Sequence, residues 1–322
     1  MPELLQNQGR GNGPSSGVIF NTAMDRPDAA LALAALYVSA SRLESRVNGV
    51  CIGGAGLDAA VFCDIVARFY GPAPRSSNTT LPIGLAAVTP LPPGPPMVAP
   101  AIARKKEGGD PQYARGIRTF TDTALAQSML RNAVTFTPEC SIVLSAPATW
   151  LMKSIDILGS KELYSKRVKR LVLVDAGELQ KDPAALRRLI AEWPTPIVVC
   201  GKGIGDAAVF PGARLETQFA WAPANPVVDA YRAFKPMPYD APMFDVAAVH
   251  YTVHPDSGLF EVSEPGTLSM GADGRLAVAA GTGNARMLSV NRAKAGEVSE
   301  ALITAASAKP APPPQGRGRG GD

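Results

Sequence analysis

The sequence predicts an α/β fold with a mostly parallel central sheet, helices on both faces and a small C-terminal β element. Short apolar runs alternate along the chain with segments that carry helical periodicity. Strands and helices that alternate in this way form a parallel sheet covered on both faces. The chain has 322 residues, of which 46% are hydrophobic and 19% are charged, so it can bury a substantial core.

The first strand and helix lie within Val18 to Val38, with the sequence VIFNTAMDRPDAALALAALYV. A buried strand is followed by a polar turn, and the turn leads into an apolar helix whose first residues include Asp25 and Asp28. In open parallel sheets, ligands bind at the carboxyl ends of the strands. The turn after the first strand is therefore a candidate site.

The later elements repeat this order. The predicted strands are VNGVCIGG, SIVLSA, RLVLVDAG and PIVVCG, and the predicted helices are LDAAVFCDIVARFYG, TALAQSMLRNAV and DPAALRRLIAEW. Asp182 and Pro183 suit the N-cap and first helical positions of the last of these helices. GKGIGD, which follows PIVVCG, lacks the length and the Lys-Ser/Thr pair of a phosphate-binding loop, so it is predicted as the exit from a strand into a loop.

The chain is expected to form one domain, residues 17–306. Residues 1–16 are rich in Gly, Asn, Gln and Ser, and residues 307–322 are rich in Pro, Gly and Arg, so both ends are expected to be disordered. Residues 91–112 are rich in Pro and Gly and carry a basic RKK cluster, which predicts a long surface loop.

Composition narrows the classes of function. A net charge of +4, from 32 basic and 28 acidic residues, is too small to indicate a nucleic-acid-binding protein. No apolar run reaches the ~20 residues of a membrane span, and the first residues do not resemble a secretory signal. We therefore expect a soluble cytoplasmic protein. Four cysteines occur singly within apolar runs and are predicted to be buried thiols of a reducing compartment: Cys51, Cys63, Cys140 and Cys200.

The turn after the first strand resembles that of the inosine/uridine-preferring nucleoside hydrolases, calcium-dependent enzymes that cut the N-glycosidic bond of ribonucleosides. In that family the turn has the form D-x-D-x-G-x-D-D-A-x-A, and this sequence has NTAMDRPDAAL. Asn21, Ala23 and Pro27 replace three of the acidic positions, Asp25 replaces the glycine, and Asp28 keeps the remaining acidic position.

Further segments resemble the family in the same order. SIVLSAPATW is similar to a strand that ends in the family motif G-P-L-T-N, and it keeps Pro147 and Thr149. Glu178 is the candidate for a ribose-binding glutamate. Phe244 and Asp245 correspond to a His or Trp that contacts the substrate and to a metal-binding Asp at a helix start. FEVSEPGTLSMGADGRL resembles the C-terminal hairpin of relatives.

The resemblance covers roughly residues 17 to 290 and implies a calcium site. The ligands it implies are Asp28, the main-chain carbonyl of Thr149 and Asp245, with water filling the remaining positions. Calcium prefers six to eight oxygen ligands, so two carboxylates and one carbonyl predict weak binding, in the range of about 10⁻⁴–10⁻³ M. The expected ligand is a nucleoside or a related sugar. A homo-oligomer is possible by analogy with relatives.

Catalysis in the family needs an Asp on this turn that binds the metal and takes a proton from water, and Ala23 occupies that position. General-base assistance contributes about 10²–10⁴ in rate, so turnover is expected to be weak or absent. Asp25 is the one candidate for a substitute base. The alternative is a non-catalytic homologue that binds a nucleoside-like or sugar-like ligand, or a protein partner.

Simpler interpretations stay open. Asp28 and Asp245 are also what the N-terminal turn of a helix favours through its dipole. His250 and His254 have the spacing of a metal pair, but no third ligand is close in sequence. A structure with a different strand order would instead indicate an unrelated doubly wound binding protein.

Overall fold

A computed structural model describes residues 17–71 and 82–312 of the chain. The predicted disordered segment 1–16 and the last ten residues of the predicted tail lie outside the described residues. The described strands are β1 (Gly17–Thr22), β2 (Arg46–Ile52), β3 (Ile83–Leu85), β4 (Ala124–Leu125), β5 (Cys140–Ser145), β6 (Val168–Val174), β7 (Ile197–Cys200), β8 (Val209–Phe210), β9 (Ala241–Pro242), β10 (Glu261–Val262), β11 (Gly266–Met270), β12 (Leu276–Ala280) and β13 (Ala285–Ser289).

Twelve α-helices connect and cover these strands in the described part of the chain. They are α1 (Pro27–Ser41), α2 (Leu57–Tyr70), α3 (Ala99–Ala103), α4 (Ala126–Thr135), α5 (Thr149–Ile155), α6 (Ser160–Arg167), α7 (Pro183–Glu192), α8 (Lys202–Ala207), α9 (Leu215–Gln218), α10 (Pro226–Phe234), α11 (Phe244–Val253) and α12 (Ala295–Ser307). None of the described helices is long and apolar enough to cross a membrane.

The main sheet has the strand order β12-β11-β13-β7-β6-β5-β1-β2-β3-β4, and β10 pairs with β13. Every neighbouring pair from β13 to β4 is parallel, whereas the pairs among β10 to β13 are antiparallel. The sheet is therefore mostly parallel with a small C-terminal β element, and the predicted fold class is confirmed. Strand β1 lies inside the sheet between β5 and β2, so the turn that follows it opens at the carboxyl edge.

The core lies on both faces of the sheet. On one face α1, α2, α10, α11 and α12 pack over alternate residues of β1 such as Val18 and Phe20. On the other face α4, α5, α6 and α7 pack over the residues between them, such as Ile19. Helix α1 is buried over 13 of its 15 residues, because other helices surround it as well as the sheet. This explains why its sequence is apolar on all sides.

Two predictions need correction: the structure of segment 91–112 and the C-terminal boundary of the domain. The segment 91–112 is not a plain surface loop, because it contains α3, it buries Met97 and Val98, and Arg104 pairs with Asp229 at 2.6 Å. The ordered chain also extends beyond residue 306. Its last described part lies against α1, where the Ala311 main-chain N–H donates to Ser41 Oγ at 2.8 Å.

The segment GKGIGD, predicted as a loop, forms α8 with Gly201 at its N-cap. The four cysteines are buried free thiols, as the sequence predicted. Burial raises the pKa of the Cys140 thiol to about 12, and it also raises the pKa of the other three thiols. These thiols therefore act as small apolar core residues.

Core packing around α1 gives the first testable prediction. Leu33 is fully buried in α1, and Leu33→Ala should lower the free energy of unfolding by about 2–5 kcal/mol, because it removes buried methyl groups and leaves a cavity. Leu158→Ala is the matched control, because this side chain is 95% exposed and should change stability by less than about 0.5 kcal/mol. Urea unfolding of both variants measures the difference. Equal stability of the two variants would contradict the placement of α1 in the core.

Candidate functional site

The candidate site lies at the carboxyl edge of the sheet, where the turn after β1 enters α1. The turn is tight: the Met24 N–H donates to Thr22 Oγ1 at 3.0 Å, and the Ala23 N–H donates to the Ser145 carbonyl at 3.3 Å. Met24 has a φ of +54°, a left-handed conformation that costs a non-glycine residue about 1–2 kcal/mol. Its side chain is fully buried, and this burial holds the turn in place. The turn thus aims Asp25 and Arg26 along the sheet edge.

Arg26 is the centre of the site. Its Nη2 donates to Asp245 Oδ2 at 2.8 Å and to Ser145 Oγ at 3.0 Å, and its Nη1 donates to the Ala176 carbonyl at 3.2 Å. Burial disfavours the charge, but the carboxylates of Asp245 and Asp28 more than offset this and raise the pKa of Arg26. One guanidinium therefore connects the β1 turn with the end of β5, the segment after β6 and the start of α11.

Asp28 connects α1 to α11. Its Oδ2 accepts the N–H of Asp245 at 2.6 Å and its Oδ1 accepts the N–H of Val246 at 3.2 Å. These N–H groups belong to the first turn of α11, where intrahelical partners are lacking. Burial and the nearby charge of Asp245 raise the pKa of Asp28. Asp28 lies in the first turn of α1, but its carboxylate caps a different helix, α11, which the sequence did not predict.

A second polar group lies beside Arg26 and consists of Asp25, Glu178 and Lys181. Lys181 Nζ lies 2.5 Å from Glu178 Oε1 and 3.5 Å from Asp25 Oδ2. Burial, followed by the hydrogen bond with Asp25, raises the pKa of Glu178 to about 7. The structure thus brings together Asp25 and Glu178, which the sequence proposed for separate roles, and Lys181 is a partner that sequence reasoning missed.

A cavity of about 140 Å³ opens next to Arg26 and Asp28. Three aromatic residues contribute to its wall: Phe244 at the start of α11, Phe234 at the end of α10 and Tyr239 in the segment after α10. The Phe244 ring also packs directly on Gly205 of α8, where any Cβ would collide with it. Polar groups thus meet aromatic rings at this cavity, as they do in sites for small ring-shaped ligands.

The remaining predicted positions lie around this site with different roles. Thr149 is the first residue of α5, and its Oγ1 donates to Asp182 Oδ2 at 2.5 Å, so its side chain holds the N-cap of α7. Ala23 is buried and offers no side-chain donor or acceptor. Asn21 is fully buried, and neither atom of its amide has a hydrogen-bond partner among the described residues.

The histidine pair lies elsewhere. His250 and His254 line a larger cavity of about 420 Å³ toward the C-terminal ends of α1 and α11. His254 Nε2 lies 3.5 Å from Glu44 Oε2, and burial, followed by the charge of His254, lowers the pKa of His250 to about 4. Among residues 17–71 and 82–312, no group of three or more His, Cys, Asp or Glu side chains is placed to hold a metal.

Comparison with solved structures extends this description. A plant nucleoside hydrolase superposes with a TM-score of 0.64 over 92% of this chain and 100% of that chain, at 16% sequence identity. The inosine-uridine preferring nucleoside hydrolase from Bacillus anthracis gives a TM-score of 0.63 at 15% identity, over 89% of this chain and 99% of that chain. The chain has the nucleoside hydrolase fold. The resemblance seen in the sequence is thus confirmed for the fold.

A third solved structure with the nucleoside hydrolase fold is the type III effector protein XopQ, complexed with adenosine diphosphate ribose. It matches with a TM-score of 0.61 at 12% identity, over 92% of this chain and 95% of that chain. No protein-family model and no curated protein sequence matches the chain. Structural similarity alone therefore shows the fold of this chain.

The described side chains, as placed, do not fit the calcium ion that the resemblance implies. Both oxygens of Asp28 accept main-chain N–H groups, and Asp245 Oδ2 is bound by Arg26. Calcium requires several free oxygen ligands, and a guanidinium with its own positive charge lies against this carboxylate. The sequence of the turn could have indicated this ion pair, since Arg26 is the one basic residue of the turn. The partners of Arg26, however, are far away in the chain.

The cap on α11 yields a prediction. Asp28→Ala would leave two buried N–H groups without partners, and it should lower the free energy of unfolding by about 2–4 kcal/mol. Asp58→Ala is the matched control, because Asp58 also lies in the first turn of a helix, α2, but is exposed, and only the helix-dipole contribution of about 0.3–1 kcal/mol is at stake. Chemical denaturation compares the two. Similar losses in both variants would show that Asp28 is not a buried cap.

The raised pKa of Glu178 predicts how the stability of the protein depends on pH. Because its folded value of about 7 exceeds the ordinary 4.5, Glu178 binds more protons in the folded protein between these pH values, so its contribution to the free energy of unfolding falls as pH rises. Glu178→Gln should remove this contribution, so the stability of the variant relative to the wild type should rise with pH, to about 1–2 kcal/mol above pH 7. Urea unfolding of both proteins across pH 4–8 measures this difference. Glu139→Gln, at an exposed ion pair, should show a difference from the wild type that does not change with pH, and the same result for Glu178→Gln would refute the assignment.

Proposed function

We propose that this protein binds a nucleoside-like or sugar-like ligand in the cavity beside Arg26 and does not carry out calcium-dependent hydrolysis. The single observation that supports the proposal most is the position of the Arg26 guanidinium, which takes the Asp245 carboxylate that a catalytic calcium would need. The protein would then use the nucleoside hydrolase fold for recognition. This corresponds to the non-catalytic alternative that the sequence left open.

The missing base supports the same proposal. Hydrolysis of a ribosyl C–N bond needs a group that takes a proton from water while positive charge develops on the sugar. Ala23 cannot do this. Asp25 is its nearest candidate substitute, but its carboxylate pairs with Lys181 and with Glu178, so a proton acceptor there would have to leave these partners.

The cavity supports recognition of a small ring. Its volume of about 140 Å³ is close to that of a cavity that holds one benzene ring, about 150 Å³. Phe244 and Tyr239 offer apolar ring surface, and a flat base or the apolar face of a sugar packs well on such rings. The XopQ structure, to which this chain is similar in fold, is a complex with a ribosyl compound, adenosine diphosphate ribose.

Calorimetry on the purified protein tests the proposal. Ribose, inosine, uridine and adenosine diphosphate ribose would be titrated without calcium, and we expect at least one of them to bind in the micromolar to millimolar range. Phe244→Ala should weaken that binding at least about tenfold, which corresponds to about 1.4 kcal/mol. Phe136→Ala, at a side chain that is 83% exposed, should leave binding unchanged.

A reducing-sugar assay on the same samples separates the alternatives. We expect no release of ribose from inosine or uridine. Release that disappears in Asp25→Asn would overturn the non-catalytic proposal and assign the base role to Asp25. Absence of binding by all four compounds would instead favour a role in contacts with a protein partner.

A further inference from the structure

Arg26 is surrounded by oxygen atoms from three separate elements. They are Asp245 Oδ2 on α11, Ser145 Oγ at the end of β5 and the Ala176 carbonyl after β6. The other oxygen of Asp245 is buried and has no hydrogen-bond partner among the described residues. Carboxylate, hydroxyl and carbonyl oxygens are the ligand types that hard metal cations take in proteins. A guanidinium thus occupies a place whose lining resembles a cation site.

The buried carboxylates of Asp28 and Asp245 favour a cation at the position of the Arg26 guanidinium. The side chain of Asp245 is fully buried and Asp28 is 2% exposed, and Asp28 already gives both of its oxygens to the start of α11. A buried carboxylate without a counter-charge is strongly unfavourable. Arg26 supplies the counter-charge, because its guanidinium forms an ion pair with Asp245.

We propose that the Arg26 guanidinium takes the place of the calcium ion that the sequence resemblance implies. The protein therefore holds its buried carboxylates without calcium, and truncation of Arg26 leaves an oxygen-lined site that accepts a divalent cation. Such a variant would offer both oxygens of Asp245, Ser145 Oγ and the Ala176 carbonyl, with water completing the coordination shell. The inference concerns the same site as the proposed function but does not depend on the identity of the ligand.

If Arg26 were only a structural ion-pair partner, its removal would lower stability without creating a site for Ca²⁺. Arg68 provides the comparison, because its Nε donates to the buried Asp64 at 2.9 Å and its side chain is about as exposed as that of Arg26, 23% against 20%. Asp64 Oδ2, however, accepts the main-chain N–H groups of Gly116 and Ile117. Loss of Arg68 should therefore destabilise the protein without creating a cation site.

The experiment is thermal unfolding with and without about 5 mM Ca²⁺, a level above the weak-site range. The wild type should show the same melting temperature in both conditions. Arg26→Ala should melt several degrees lower without Ca²⁺ and recover part of that loss with it, whereas Arg68→Ala should melt lower and show no recovery. The double variant Arg26→Ala/Asp245→Asn should not respond to Ca²⁺, since the carboxylate charge is gone. No nucleoside is present, so a negative result here leaves the ligand titrations unaffected.

Two results would overturn the inference. One is calcium binding to the wild type, seen as a raised melting temperature or as heat in calorimetry, because the site would then not be taken by Arg26. The other is a folded Arg26→Ala variant that does not respond to Ca²⁺. If Arg26→Ala folds only with Ca²⁺, the inference is supported. If it does not fold at all, the wild type and Arg26→Lys decide, and stabilisation of either by Ca²⁺ overturns the inference.

Discussion

Two buried carboxylates, Asp28 and Asp245, impose the constraint on which the site depends. They lie where the first turns of α1 and α11 meet, away from water, and each must have its oxygens bonded or its charge balanced. Asp28 meets this condition with main-chain N–H groups and Asp245 meets it with Arg26. Because these bonds join α1, α11, β5 and the segment after β6, the same contacts that neutralise the site also fix how four elements meet at the sheet edge.

The geometry of the cavity follows from this junction. Phe244 immediately precedes Asp245, so the cap that Asp28 places on α11 also sets the position of the Phe244 ring against Gly205. Arg26, in turn, forms part of the cavity wall while it holds the Ala176 carbonyl. The cavity wall and the packing of α1 on α11 therefore depend on the same contacts. A change in the Arg26–Asp245 ion pair would alter both.

Sequence alone could predict the fold, because the alternation of apolar runs with helical segments is local and each run is long enough to recognise. It also predicted that the polar residues of the β1 turn lie at the carboxyl edge of the sheet, since strand ends in a parallel sheet converge. It could not predict the contacts of Arg26, whose partners lie 119, 150 and 219 positions away. The Pro-rich segment 91–112 differs from the predicted surface loop for a related reason: Met97 and Val98 are buried against distant helices, which local composition cannot reveal.

The charges of the residues in the β1 turn fit the contacts that the turn makes. Asn21, Ala23 and Pro27 are neutral, and the carboxylate of Asp28 accepts the main-chain N–H groups at the start of α11. Asp245 is then the carboxylate at this junction that needs a counter-charge, and the single guanidinium of Arg26 supplies it. The neutral residues of the turn and the Arg26–Asp245 ion pair thus form one electrostatic arrangement, which joins the β1 turn to β5 and α11 at the sheet edge.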